Sequence, residues 1–516
     1  MSRGTAIVLC VALVGACSGG GGGDGKGSPK PLAQGGTLRI GVHAPESYDP
    51  AKLSPAAPGD LMIADLLYDS LTQRGDDGVV APSIASAWTS KNLVTWRFTL
   101  AKRTFADGKP LTATDVKASL EHVATVAKDS FAAARLDVIK GFDQLAAGKA
   151  KDLRGLRAVD ASTLDVTLNQ PVSTLPDILS SPLFGIVRVA ALAAKQPADG
   201  PVASGSFEAS AATRDGVHLA PRADAGVALD AIDLRYFKDD AAAYKAFTNG
   251  DIDVAPVPAA AYDDAVDEYG DGAIVPFQAE LFFAMNLKSP TFQDAAFRRA
   301  IAAAIDRDAV VSKAYGGRAQ PLATLVPAGV TGHDPAACAK LCDANVTRAK
   351  LQLREAKDKT AKVFVDVDDT EPQTAMAKVV VANLKAVGIK ATGRGHKFKD
   401  YLSFAIKGEQ SLFVFGWVGM YDSPDAYLNA LFTSEGRDNV TGIESDTIND
   451  LLKAARKSRV AADRAKAWRL AERKILEGAF IVPIAQFRVQ LVVADNVKGF
   501  TPRTDATFDP TAVSLE

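Results

Sequence analysis

The stretch from Ala361 to Val418 leaves few folds open to this chain. AKVFVDV has the make-up of a buried strand, QTAMAKVVVANLKAVG runs at helical spacing and stops at a glycine, and IKATG forms a second strand. KDYLSFAIKG is then a second helix and SLFVFGWV a third, wholly apolar strand. Strands that alternate with helices pack as a parallel or mixed sheet covered on both faces, which makes the fold class α/β. The first half carries the same grammar in AIDLRYFKDDAAAYKAFTNGDIDVA, a strand, a helix closed by Asn249-Gly250 and a second strand. FRRAIAAAIDRDAVV is expected to form one continuous helix with Phe297, Ile301 and Ile305 on a single stripe. Two such bodies, one in each half, imply a cleft between them. A chain of 516 residues is too long for one core, and at about 150 residues per unit it divides into roughly three.

Other segments are readable locally. GGTLRIGVHAPESYDP gives a short strand and a proline-marked loop, and LMIADLLYDSLTQR is expected to be helical to its end. In LVTWRFTL, Val94, Trp96, Phe98 and Leu100 alternate with polar neighbours, the period of a half-buried strand. FADGKPLTATDVKASLEHV turns at Asp107-Gly108 and starts a helix near Thr112 or Thr114, with Asp115 in its first turn. The alanine-rich region from about residue 190 to 230 carries no usable period.

At the N-terminus, Arg3 precedes an apolar run from Ala6 to Val14 and then Val14-Gly15-Ala16-Cys17. The run is about half of the ~20 residues a spanning helix needs, so residues 1–17 read as a signal peptide ending in a lipobox, with Cys17 the lipidated residue. Two acyl chains on that thiol would hold a protein stably at a membrane. Residues 18–35, mostly glycine, serine and proline, have nothing to bury and form a tether reaching about 20 Å. No later stretch is long and apolar enough to span.

Charge nearly balances, with 59 basic and 61 acidic residues, and this disfavours nucleic acid as a partner. Beyond the signal region the cysteines are Cys338 and Cys342, four apart in HDPAACAKLCD. In an oxidising compartment a local disulfide is expected. Half a metal site is the disfavoured alternative, since the five histidines are scattered and no second cysteine pair exists; neither metal nor cofactor is expected. GxSxG and HExxH are absent, and the lysine of GGDGKGS is followed by glycine, so that stretch is linker rather than a phosphate loop.

Taken together, LLYDSLTQRGDDGVVAPSIASAW, TWRFTLAKRTFADGKPLTATDVKASLEHV, PVASGSF, the strand-helix-Gly-Asp-Ile-Asp unit, FFAMNLKSPTFQDAAFRRAIAAAIDRDAVV and LFVFGWVGMYDSPDAYLNALF resemble the extracellular peptide-binding proteins of bacterial ABC importers, solute-binding family 5. The likeness runs in order from about Gly36 to Phe500. It implies a two-lobe periplasmic-binding-protein-like fold with an inserted subdomain, mixed sheets and a hinge of two crossing strands near Glu280–Asn286 and Ile481–Gln486. The first lobe would comprise residues 36–280 and the returning 481–516, and the second 281–480. The implied function is non-enzymatic. By the same resemblance, a monomer lipid-anchored to the cell membrane on its extracytoplasmic side would capture a short peptide or similar solute and deliver it to an ABC permease and its ATPase.

In such a protein GWVGMYDSPDAYL leaves a buried strand and enters a loop beyond the strand's carboxyl end, where ligands of α/β sheets sit. Trp417 and Tyr421 would wall the ligand and Asp422 or Asp425 would meet a cation; alternatively Trp417 packs in the core and Asp425 caps the next helix. Family members carry an ammonium-binding aspartate where this chain has Met420, so either Asp422 replaces it or the ligand lacks a free amino terminus there. Tyr48 and Gly205-Ser206-Phe207 fall where the family's first lobe approaches the ligand, with a simple turn as the alternative for Gly205. Arg394, His396 and Lys397 either line the cleft or form a solvated loop.

Two other classes compete. A secreted hydrolase would turn over a chromogenic ester or peptide. A binding or sensing protein for a sugar, siderophore, haem or nickel would keep the fold with a different ligand, nickel being least favoured by the scarcity of histidine.

Overall fold

The structure, a computed structural model, describes residues 34–75, 78–126, 130–192, 202–270 and 273–516. The signal peptide, the lipobox with Cys17 and nearly all of the tether lie outside the described residues. At the tether's expected end, the Gly35 amide already donates to the Ala228 carbonyl at 2.8 Å, so the folded body takes hold there.

An eleven-stranded mixed sheet runs through the molecule. One end holds the three strands of the stretch from Ala361 to Val418, namely Lys390–His396, Lys362–Asp368 and Leu412–Val418, hydrogen-bonded in parallel. The other end holds Thr37–His43 flanked in parallel by Ala231–Phe237 and Val254–Pro256, with the hairpin Phe207–Thr213 and Gly216–Pro221 beyond. Between the two ends lie two long antiparallel strands, Ile274–Met285 and Ile481–Val493. The second of these pairs with Val254–Pro256 through its later residues and with Ala319–Pro321 through its earlier ones, so one strand belongs to both ends. Its register with Ile274–Met285 shifts between Pro276 and Glu280 and again between Leu281 and Phe282. Such bulges add local twist and bend the pair where the two bodies meet.

Each body has its own apolar core. Phe283, Phe297, Ile301, Val365, Met376 and Leu412 pack together in the later one, and Leu38, Ile40, Leu61, Leu67, Ile232 and Leu234 in the earlier one. A separate four-stranded antiparallel sheet is formed by Ala85–Ser90, Thr95–Leu100, Thr163–Thr167 and Leu156–Asp160. Along Thr95–Leu100 every second side chain is buried, as the alternation requires. The helix Ala113–Val126 follows, and the Thr112 main-chain amide and hydroxyl both donate to the Asp115 carboxylate, at 2.9 and 2.6 Å.

Three expectations need correction. The helix expected to run through LMIADLLYDSLTQR spans Pro58–Leu67, and Thr72–Arg74 is a strand. Gly205 packs on the helix end and its amide donates to the Leu67 carbonyl at 2.9 Å, so the chain turns away there. FRRAIAAAIDRDAVV is two helices, Ala295–Ala304 and Arg307–Tyr315, because the Asp306 carboxylate accepts the Ala309 amide at 3.0 Å and caps a new start. The described part of the alanine-rich region contains the hairpin named above, which alanine is too small to announce by burial pattern. Cys338 and Cys342 are joined in a disulfide.

Candidate ligand-binding cleft

A cavity of about 540 Å³ lies where the two bodies meet at the long strands. One wall is the loop Ser54, Pro55, Ala56 and Pro58, and the other is Gly416, Trp417 and Val418 from the end of the third parallel strand. Phe277, Ala279, Glu280 and Phe487 of the two long strands close its base. The loop is held in shape locally: the Asp60 carboxylate accepts the Ser54 amide at 2.8 Å, the Ser54 hydroxyl accepts the Ala56 amide at 3.3 Å, and Pro58 begins the helix.

The strand Leu412–Val418 offers more than side chains. It pairs with Ile274–Met285 along its whole length, but with Lys362–Asp368 only at Leu412 and Phe413. Beyond Phe413 that second edge carries no strand among the described residues. The Val414 carbonyl points to this edge, where it accepts the Tyr401 hydroxyl at 2.7 Å. By the alternation of an antiparallel ladder, the main-chain groups of Gly416 and Val418 point the same way, beside the cavity. A Cβ added at Gly416 would meet Leu281 Cδ1 at 3.6 Å and the Glu280 carbonyl at 3.7 Å, ordinary contacts.

Trp417 has a double role. It borders the cavity, yet it is 4 % exposed, its indole N–H donates to the Ala426 carbonyl at 2.8 Å, and the Arg135 guanidinium lies 5.2 Å from its ring centroid. Met420 and Tyr421 are buried beneath the strand end and do not line the cavity. The Tyr421 hydroxyl donates to Asp425 at 2.8 Å, and burial pushes its pKa well above the usual tyrosine value.

The two aspartates of the loop are occupied from within. Asp425, fully buried as the first residue of the helix Asp425–Phe432, accepts Arg456 at 2.7 and 3.0 Å and the Thr174 hydroxyl at 3.1 Å. Asp422 accepts the Thr331 amide and hydroxyl at 2.6 and 2.7 Å and lies 3.1 Å from the Arg74 guanidinium. Neither stands open to a ligand cation, because each carboxylate already has an arginine.

The other expected site residues are placed elsewhere. Tyr48 bonds hydroxyl to hydroxyl with Tyr236 and accepts the Tyr68 hydroxyl on its carbonyl at 2.9 Å. Gly205 is a packing glycine: an added Cβ would stand 2.8 Å from main-chain atoms of Leu67 and Tyr68. Ser206 borders a separate crevice with Asp65, Asp69, Arg74 and Arg503. His396 is 3.0 Å from the buried Asp366 and stacks on Phe404; Arg394, like His396 on the outermost strand Lys390–His396, pairs with the same aspartate, and none of the three lines the cavity. Lys397 stands at the N-terminal boundary of the helix Phe398–Lys407 and makes no side-chain capping bond there. What sequence reasoning missed was the SPAAP loop, whose two prolines were its visible signal, and the cavity-facing members of the long strands, which show only as apolar residues in an apolar run.

Glu280 is the unexpected member. It is 1 % exposed, neither carboxyl oxygen has a hydrogen-bond partner among the described residues, and burial, with Glu472 nearby, pushes its pKa well above the usual range.

A family model described as bacterial extracellular solute-binding proteins, family 5 Middle, matches residues 79–439. The chain belongs to this family. It is similar to the periplasmic murein peptide-binding protein MppA of Escherichia coli K12, 24 % identical over 479 residues and 88 % of each chain. It is also similar to the probable deoxycholate-binding periplasmic protein YgiS of the same organism, 26 % identical over 506 residues and 91 % of each chain. The unliganded open form of MppA superposes with a TM-score of 0.80 at 23 % identity, covering 94 % of this chain and 98 % of that one, and shows the two-lobe binding-protein fold. The family 5 protein is thus a non-catalytic, extracytoplasmic solute-binding protein of an ABC transporter. Among the described residues no helix is long and apolar enough to cross a membrane.

Proposed function

We propose that this family 5 protein captures a short peptide or a similar small organic solute in the cleft between Ser54–Ala56 and Gly416–Val418 and delivers it to a membrane permease and its ATPase. The observation that carries the reading is the unpaired strand edge beside the cavity, where an extended backbone can add as a strand. Relatives named for peptides agree with it. Residues 36–280 with 481–516 act as one lobe and 281–480 as the other, closing about Ile274–Met285 and Ile481–Val493. Lipid on Cys17 keeps the protein at the membrane.

The apolar lining, with the deoxycholate named for one relative, favours a non-peptide solute as the second reading. Mass spectrometry of what copurifies, followed by thermal-shift titration, separates the two. A bound peptide should raise the melting temperature. Methylating its amides one at a time should weaken it at least tenfold at one position or more, since that amide can no longer donate to the strand edge. Uniform tolerance of methylation rules out strand addition, and a shift seen only with non-peptides establishes the second reading.

A further inference from the structure

We infer that this cleft selects an uncharged, apolar ligand segment over one that carries a free ammonium. The inference rests on the cavity being the ligand site, not on the ligand being a peptide. Its apolar lining is Pro55, Ala56, Pro58, Phe277, Val418 and Phe487, to which Ser54 adds a hydroxyl. The two carboxylates of the neighbouring loop are spent: Asp422 on Arg74 and Thr331, and Asp425 on Arg456. An incoming ammonium would have to displace an arginine whose bonds to Asp425 are 2.7 and 3.0 Å long.

Glu280 is the remaining acid at the cavity, and its carboxyl oxygens are closed off from it. Its oxygens are enclosed, and in the ladder it stands opposite Trp417, whose indole is turned to the Ala426 carbonyl beneath the sheet. Strand alternation puts both side chains on that face, opposite the one that Ala279, Gly416 and Val418 present. Burial, with Glu472 nearby, pushes its carboxyl well above the usual carboxylate range and so disfavours its charged form. Among the described residues, an ammonium entering the cavity therefore loses its hydration and meets no available charge, whereas a capped or apolar group loses little.

The test uses the full mature chain and a matched pair, trileucine amide and N-acetyl-trileucine amide, measured by calorimetry. The neutral apolar dye N-phenyl-1-naphthylamine serves as a third probe. The capped peptide is expected to bind at least tenfold more tightly than the free amine and to displace the dye. Gly416→Leu fills the cavity from a position with room for a Cβ, and Ala56→Trp does so from the exposed loop; each should weaken the dye at least tenfold with the melting temperature nearly unchanged. A free amine that binds tenfold better than its capped partner overturns the inference and leaves the peptide reading intact. Dye binding that both filled variants lose, with no binding of either peptide, supports apolar selection and removes the peptide reading. Dye binding untouched by both variants, or failure of dye and capped peptide alike, overturns the inference.

Discussion

Asp422 and Asp425 sit three residues apart in MYDSPD, and each is claimed by a different arginine. Nothing in the residue types announces this, because Arg74 and Arg456 are hundreds and tens of residues away in sequence. Breaking a buried pair strands the remaining charge, so Asp425→Ala should cost about 3–5 kcal/mol of stability, read by urea denaturation. Unchanged stability would return Asp425 to the list of ligand contacts. Glu472 is another buried acid: 1 % exposed, it accepts the Leu325 and Val326 amides at 2.6 and 3.2 Å, yet burial pushes its pKa up to about 7. The folded state thus keeps a proton that the unfolded chain releases near 4.5. Its contribution is fully present below that value and is lost as pH rises toward 7. Glu472→Gln keeps the acceptor and removes the titration. The stability gap between wild type and variant should therefore change by on the order of 2–3 kcal/mol between pH 4.5 and 7.5, with wild type the one that loses.

Elements built from strong local signals were legible. The alternation in Thr95–Leu100, the helix after Thr112 and the strand-helix series from Lys362 to Val418 all follow the patterns of their own side chains. Element ends were harder, since they are set by what packs against them. At Leu67 the helix stops under Gly205, and an added Cβ there would stand 2.8 Å from main-chain atoms that cannot move independently. Gly205→Ala should therefore destabilise by about 2 kcal/mol or more, measured by chemical denaturation. At the break the Asp306 carboxylate caps the second helix, so Asp306→Ala should cost about 1 kcal/mol and leave ligand affinity unchanged. A larger loss of affinity would mean that the two helices act together on the cleft.

On the scale of the whole molecule, two bulged strands join the bodies, and the cavity opens at their junction. Ligand contacts made with both lobes only when they are closed shift the population toward closure. Small-angle scattering should show a smaller radius of gyration with ligand and no change in mass. Arg74 already spans the junction, donating to Thr504 at 2.7 Å and to the Gly329 carbonyl at 3.1 Å while it pairs with Asp422. Arg74→Ala should enlarge the unliganded particle and weaken ligand binding. An unchanged scattering curve would show that these contacts do not limit opening.

The order of strands and helices, the two α/β bodies and the family likeness were determined by the sequence alone. Periodicity and turn chemistry are local properties, and motifs in order survive without a structure. Which carboxylates remain available, which loop faces Gly416 and which edge of Leu412–Val418 lies open were decided only by the tertiary structure. Each of those depends on partners brought together from distant parts of the chain, and a charge or a hydrogen-bonding group is available only when folding has left it unmatched.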